Sequence, residues 1–200
     1  MMTNAAPELM SAFGINTEPA TYAEAIVSLL YGFIFIMWPL VYLIAVGHRV
    51  SAKMIDRGSM ASILASPNSR GIIILTQAVF YVFSLFSLLA LSVLALFITS
   101  SVIYPGELDA LQFIYLNLGL FSLHFLISAI CFVVSSSVNE SWAYFTFGAG
   151  LPIMFYLFQM LGNIGGDLKF FSNLTIFSLF EPEKYLASDW SLVLPQGLTL

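Results

Sequence analysis

This chain is short of charge. Of its 200 residues only 8% are charged while 60% are hydrophobic, and its mean hydropathy is +0.94. Soluble domains carry about 25% charged residues, and a water-facing surface cannot be covered with so few. Cysteine is almost absent. Cys131 stands alone, which excludes an intrachain disulfide, and inside its apolar run it reads as a small buried hydrophobe. Histidine is limited to His48 and His124, which excludes a His-rich metal cluster. Six Lys and Arg stand against eleven Asp and Glu, for a net charge of −5, so there is no electrostatic footprint for nucleic acid. No Lys or Arg precedes the first apolar run, so the N-terminus does not read as a signal peptide. HExxH, GxSxG and the GxxxxGK[ST] phosphate loop are all missing, so the chain carries no ATP-hydrolysing motif of its own.

What the sequence has in abundance is long apolar runs. Four of them, at residues 25–47, 71–99, 110–134 and 142–162, contain no Lys, Arg, Asp or Glu. A helix needs roughly 20 residues to cross about 30 Å of hydrocarbon. Each charge at mid-bilayer would cost about 2.5–3.5 kcal/mol. The runs are continuous rather than alternating, which argues against a β-barrel. The expected fold is an all-α membrane protein, a single domain of four transmembrane helices.

Local signals fall at the expected boundaries. Thr21 and Glu24 read as a capping box before the first span. Ser66 and Pro67 read as an N-cap with a first-turn proline before the second. Pro105-Gly106-Glu107 breaks the chain before the third, and Ser137 with Glu140 forms a second capping-box pattern before the fourth. Pro39 and Pro152 lie inside spans and predict kinks, either for packing or as hinges. Residues 5–14 suggest a short helix on the outer surface. In the tail, 163–200, the interrupted apolar stretch 168–180 suggests an interfacial or short re-entrant helix, stopped by Glu181-Pro182.

Four of the six basic residues, Arg49, Lys53, Arg57 and Arg70, lie between the first two spans. By the positive-inside rule residues 48–70 are cytoplasmic. The N-terminal segment, the loop at Pro105 and the tail then face outside. Within the basic loop Met60, Ile63 and Leu64 stand at i, i+3 and i+4, one face of a short amphipathic helix between Gly58 and Pro67. Headgroups, the chain's own bundle or a partner's groove could each cover that face.

The run Asp56-Arg57-Gly58-Ser59-Met60 through Ile63-Leu64 to Pro67 and Arg70 resembles the corresponding segment of ABC-2 type transporter permeases. In that family a charged-Gly-Ser/Thr stretch leads into a short helix and a small-Pro-x-Ser-Arg turn. Residues 135–140 resemble its short inner turn, and residues 168–182 its outer segment before the last span. The resemblance implies a permease subunit that pairs as a homo- or heterodimer in the bacterial plasma membrane. A separate ATP-binding cassette ATPase, holding ATP and magnesium, would dock beneath the inner loops. Asp56, Arg57, Gly58, Ser59, Met60, Ile63, Leu64, Pro67 and Arg70 would then form the coupling contact, and the spans carrying Pro39 and Pro152 would line the path. The family has six spans where this chain has four, so the chain reads as a fragment or a reduced variant lacking the first and last.

Among the polar residues within spans, Gln77, Asn117, His124 and Gln159 read first as interhelical hydrogen-bonding groups. Asn117 and His124, seven apart, share a helix face. With Gln159, Pro39 and Pro152 they are the pathway-lining candidates. Two other functions stay open on the residues alone: an intramembrane enzyme using His124, and an accessory membrane protein that transports nothing. No cofactor or metal is expected in the chain itself.

Overall fold

The computed structural model describes residues 5–15, 19, 21–65, 69–106 and 110–186. Among them there are helices and turns but no strand. Helix α1 covers Ala5–Ala12. Four long helices follow, each long and apolar enough to cross a bilayer: α2 (Tyr22–Asp56), α4 (Arg70–Ile103), α5 (Ala110–Ser137) and α6 (Ser141–Ile164). A short helix, α3 (Ser59–Leu64), stands between α2 and α4. The tail forms 3₁₀ segments at Gly166–Leu174 and Ile176–Leu179 and closes with α7 (Pro182–Leu186). The chain is thus a multi-pass, all-helical membrane protein.

Thr21 opens α2 in an extended conformation, and its hydroxyl oxygen accepts the Glu24 N–H at 3.2 Å. That bond satisfies one of the donors left bare in a first helical turn. α2 does not stop at Gly47, where the apolar run ends, but continues to Asp56. Nothing between Gly47 and Gly58 is a helix breaker; Gly58, at φ 72°, supplies the left-handed turn that ends it. The basic loop is correspondingly shorter than residues 48–70. Two stretches of α2, Val27–Ile34 and His48–Ala52, are π-helical, as is Tyr144–Ala149 in α6. Pro39 and Pro152 each follow such a stretch within the same long helix.

The second capping box does not form. Ser137 is the last residue of α5, and its hydroxyl donates back to the Val133 carbonyl at 2.7 Å, a bond that favours the preceding helix. Glu140 caps α6 without a side-chain bond to its backbone and accepts from the Trp142 indole instead. The stretch 168–180 is also not one helix. Thr175 adopts extended backbone, its Oγ1 accepts the Phe177 N–H at 3.1 Å, and Ser178 Oγ donates to the Thr175 carbonyl at 2.7 Å. Such local side-chain bonds compete with helix continuation.

The chain divides into two compact units. The first takes the described residues of Met1–Met37, Val93–Leu123 and Phe155–Leu200; the second takes Trp38–Ser92 and His124–Met154. Val27, Tyr31, Leu116, Leu120 and Phe177 are buried in the first, and Leu40, Leu43, Tyr81, Leu85, Ile127 and Tyr144 in the second. Large apolar side chains also point outward. Only 11% of the most apolar stretch of α4 is buried, so its hydrophobicity matches a lipid surrounding rather than a protein core.

Candidate functional site

The second unit gathers the polar groups of the basic end of α2. The π-helical stretch His48–Ala52 departs from the regular α pattern, and side chains from three other helices bond to the backbone in and before it. Tyr81 Oη donates to the Leu43 carbonyl at 2.6 Å, Tyr144 Oη to Ile44 at 2.9 Å, Ser135 Oγ to Gly47 at 2.5 Å, and Gln77 Nε2 to Val50 at 3.0 Å. Ser135 Oγ also accepts the Ala52 N–H at 3.1 Å. Gly47 lets these helices meet. A Cβ there would lie 2.5 Å from Tyr144 Oη and 3.1 Å from Tyr81 Oη, both on buried side chains.

Beside this cluster, Ser141 at the start of α6 links two residues of α2. Its hydroxyl donates to Asp56 Oδ2 at 2.6 Å, and His48 Nε2 lies 3.0 Å from Ser141 Oγ. The residue types are those of a hydrolytic triad, but the order is wrong for one. The serine proton is directed to the carboxylate, so the imidazole faces Oγ as a donor and does not activate it. The His48 ring also packs on Phe145, with centroids 4.7 Å apart. The arrangement ties α2 to α6.

Among the expected coupling residues, Asp56 holds that tie, and Arg57, Gly58 and Ser59 are exposed. Ser59 Oγ donates back to the Met54 carbonyl at 3.1 Å, folding the turn at Gly58 upon itself. Met60 is half-buried, Ile63 and Leu64 lie on α3, Arg70 opens α4 exposed, and Pro67 lies outside the described residues. Pro152 is fully buried. It has no N–H to offer the Gly148 carbonyl four residues back, and that carbonyl accepts from Cys131 Sγ at 3.3 Å. Pro39 is buried in α2. His124 is completely buried, in the second unit. Asn117 belongs to the first, where its Oδ1 accepts from Tyr31 Oη at 2.9 Å and its Nδ2 donates to the Phe113 carbonyl at 2.7 Å.

Gln159 leads to a cavity. Within the first unit a cleft of about 990 Å³ is lined by α1 and the turn after it, by α2, by α6 and by the tail. Asn163 clamps one wall: its Nδ2 donates to the Ala12 carbonyl at 3.2 Å, and its own carbonyl accepts from Ser11 Oγ at 2.9 Å. Gly14, at φ 72°, approaches Gly32 so closely that a Cβ on Gly32 would meet the Gly14 carbonyl oxygen at 2.5 Å. Gln159 Nε2 donates to Asn163 Oδ1 at 2.9 Å. Its Oε1, and the Oη of Tyr156 one turn earlier, are buried with no hydrogen-bond partner among the described residues.

No family model, curated protein or solved structure matches the chain. The site therefore has to be read from its own chemistry. No group of three or more metal-ligating side chains is present among the described residues. The sequence pointed to Gln159 but not to Tyr156, His48, Ser135 or Ser141. Their roles depend on neighbours distant in the chain; of the four only Ser135 lay in a stretch marked locally, the turn at residues 135–140.

Proposed function

We propose that this chain is the membrane-spanning permease subunit of an ATP-driven transporter of the ABC-2 type. The observation that carries this reading is α3. It is a separate short helix between α2 and α4, set off from α2 by the turn at Gly58 and flanked by Arg57 and Arg70, with Arg57, Ser59, Ala61 and Ser62 exposed around it. A projecting element between two spans offers a soluble ATPase something to grip. The Asp56–Ser141 bond at the root of that loop supports a mechanical role, because a push on α3 would be felt at the start of α6. The partner subunit would bind ATP and magnesium, and a second permease chain would complete the path across the bacterial cytoplasmic membrane. The ligand-sized cavity fits a protein that handles a small molecule.

Co-purification tests this. The chain would be expressed in its native host and any ATP-binding cassette subunit that co-purifies quantified, comparing wild type with the double variant Ile63→Asp/Leu64→Asp. Recovery of the ATPase should fall at least tenfold with the double variant. Equal recovery would sink the coupling role.

A further inference from the structure

We infer that the cavity of the first unit is a binding site for a short, apolar, amide-bearing ligand, a small hydrophobic peptide being the simplest case. Such a site would exist whether or not an ATPase docks on α3, and it is read from three features of the cavity.

The first is the pair of orphaned polar atoms. Tyr156 and Gln159 are three residues apart on α6 and so present to one side of it. Tyr156 is 4% exposed, and its ring packs edge-on against Phe177 with centroids 5.6 Å apart. The Gln159 amide is held in one orientation because its Nε2 is committed to Asn163 Oδ1. Its Oε1 is therefore a fixed acceptor, while Tyr156 Oη remains able to donate. A buried polar group without a partner is costly, and natural structures keep few of them. One acceptor beside one donor is the complement of the N–H and C=O that a single extended peptide residue presents along one edge. Both atoms are shut off from solvent, so a ligand reaches them when the wall yields. That wall includes the segment at Ser11–Ala12, held to α6 by the two Asn163 bonds.

The second feature is an apolar part of the lining. Val27, Ile36, Phe177 and Phe180 all face the cavity, which suits aliphatic or aromatic side chains. The third is charge balance. Two lysines, Lys169 and Lys184, and two glutamates, Glu181 and Glu183, line the cavity, and Lys184 pairs with Glu181 at 2.8 Å. A site with matched charges selects against ligands of large net charge. It accepts neutral or zwitterionic ones, including a peptide whose ammonium finds Glu183 and whose carboxylate finds Lys169.

The experiment uses the full chain in detergent micelles without any ATPase or ATP. Acetyl-leucyl-leucine amide is titrated by calorimetry against wild type, Tyr156→Phe and Gln159→Leu, alongside its N-methylated analogue and an alkyl glucoside. Wild type should bind the peptide saturably, and each variant should bind it roughly tenfold more weakly. The N-methylated analogue, which keeps its carbonyl but lacks the N–H, should bind wild type and Gln159→Leu alike and still bind Tyr156→Phe more weakly. The melting temperature of Tyr156→Phe should be unchanged or higher, since its hydroxyl bonds to nothing among the described residues. Equal peptide affinity in all three proteins would mean micelle partitioning and overturn the site. A preference for the glucoside would overturn the amide assignment. A clear fall in the melting temperature of Tyr156→Phe would show that the hydroxyl has a structural partner, and would remove the basis of the inference. None of these results depends on ATPase recovery, so this site and the coupling role fail separately.

Discussion

Two settings, the basic end of α2 in the second unit and the cavity wall in the first, treat a buried tyrosine in opposite ways. In the second unit, Tyr81 and Tyr144 each donate to a backbone carbonyl of α2, at 2.6 and 2.9 Å. In the first unit, Tyr156 is as well buried but its hydroxyl bonds to nothing among the described residues. The same side chain in the same kind of helix is a fastener in one place and an open valence in the other. The difference lies in the backbone beside it. The π-helical stretch at His48–Ala52 and the carbonyls before it give side chains something to bond, whereas Tyr156 packs on the Phe177 ring at the wall of a cavity. A buried polar group in a membrane helix is thus not a sufficient sign of function; whether it is already satisfied decides.

The contrast can be broken most forcefully at Gly47. Replacing it with alanine puts a methyl group against two buried, hydrogen-bonded tyrosine hydroxyls. Overpacking together with loosened hydrogen bonds should cost about 3 kcal/mol, read as a large drop in thermal stability in detergent. Ser135→Ala comes next. It removes the bonds to the Gly47 carbonyl and the Ala52 N–H at once, for a loss of about 2 kcal/mol. Tyr81→Phe removes one bond and should cost about 1 kcal/mol. Tyr31→Phe, which takes a partner from Asn117 while leaving that amide its bond to Phe113, should cost about 0.6 kcal/mol, a typical interhelical value in membranes. Tyr156→Phe closes the series at zero or a small gain. If Tyr81→Phe and Tyr156→Phe shift the melting temperature equally, the distinction between the two settings collapses.

The helices themselves were largely legible. Hydropathy located all four long helices, because sustained apolar composition is a local property that burial and lipid both demand. It placed the start of α5 at Ala110 and the start of α6 within a residue. The end of α2 was missed because polarity and helicity are separate matters: residues 48–56 leave the apolar run yet contain no glycine or proline to stop a helix. The site was less legible. Gln159 was visible as a polar residue in a span, but its partner Asn163, its orphaned oxygen and the neighbouring Tyr156 are consequences of tertiary packing. Asp56 was singled out for its place in a motif, while its bond to Ser141 joins positions 85 residues apart. No periodicity encodes such a meeting.

The Cys131–Gly148 contact has a practical side. The chain's lone thiol is 0% exposed and turned toward a carbonyl within the helix bundle, so sulfhydryl-reactive dyes will find it unreachable in the folded protein. Reporter cysteines can accordingly be placed one at a time on the surface, for instance at the 74%-exposed Leu179, against a background that is silent as nature made it. Sidedness in the membrane then becomes a question that two reagents, one permeant and one not, can answer.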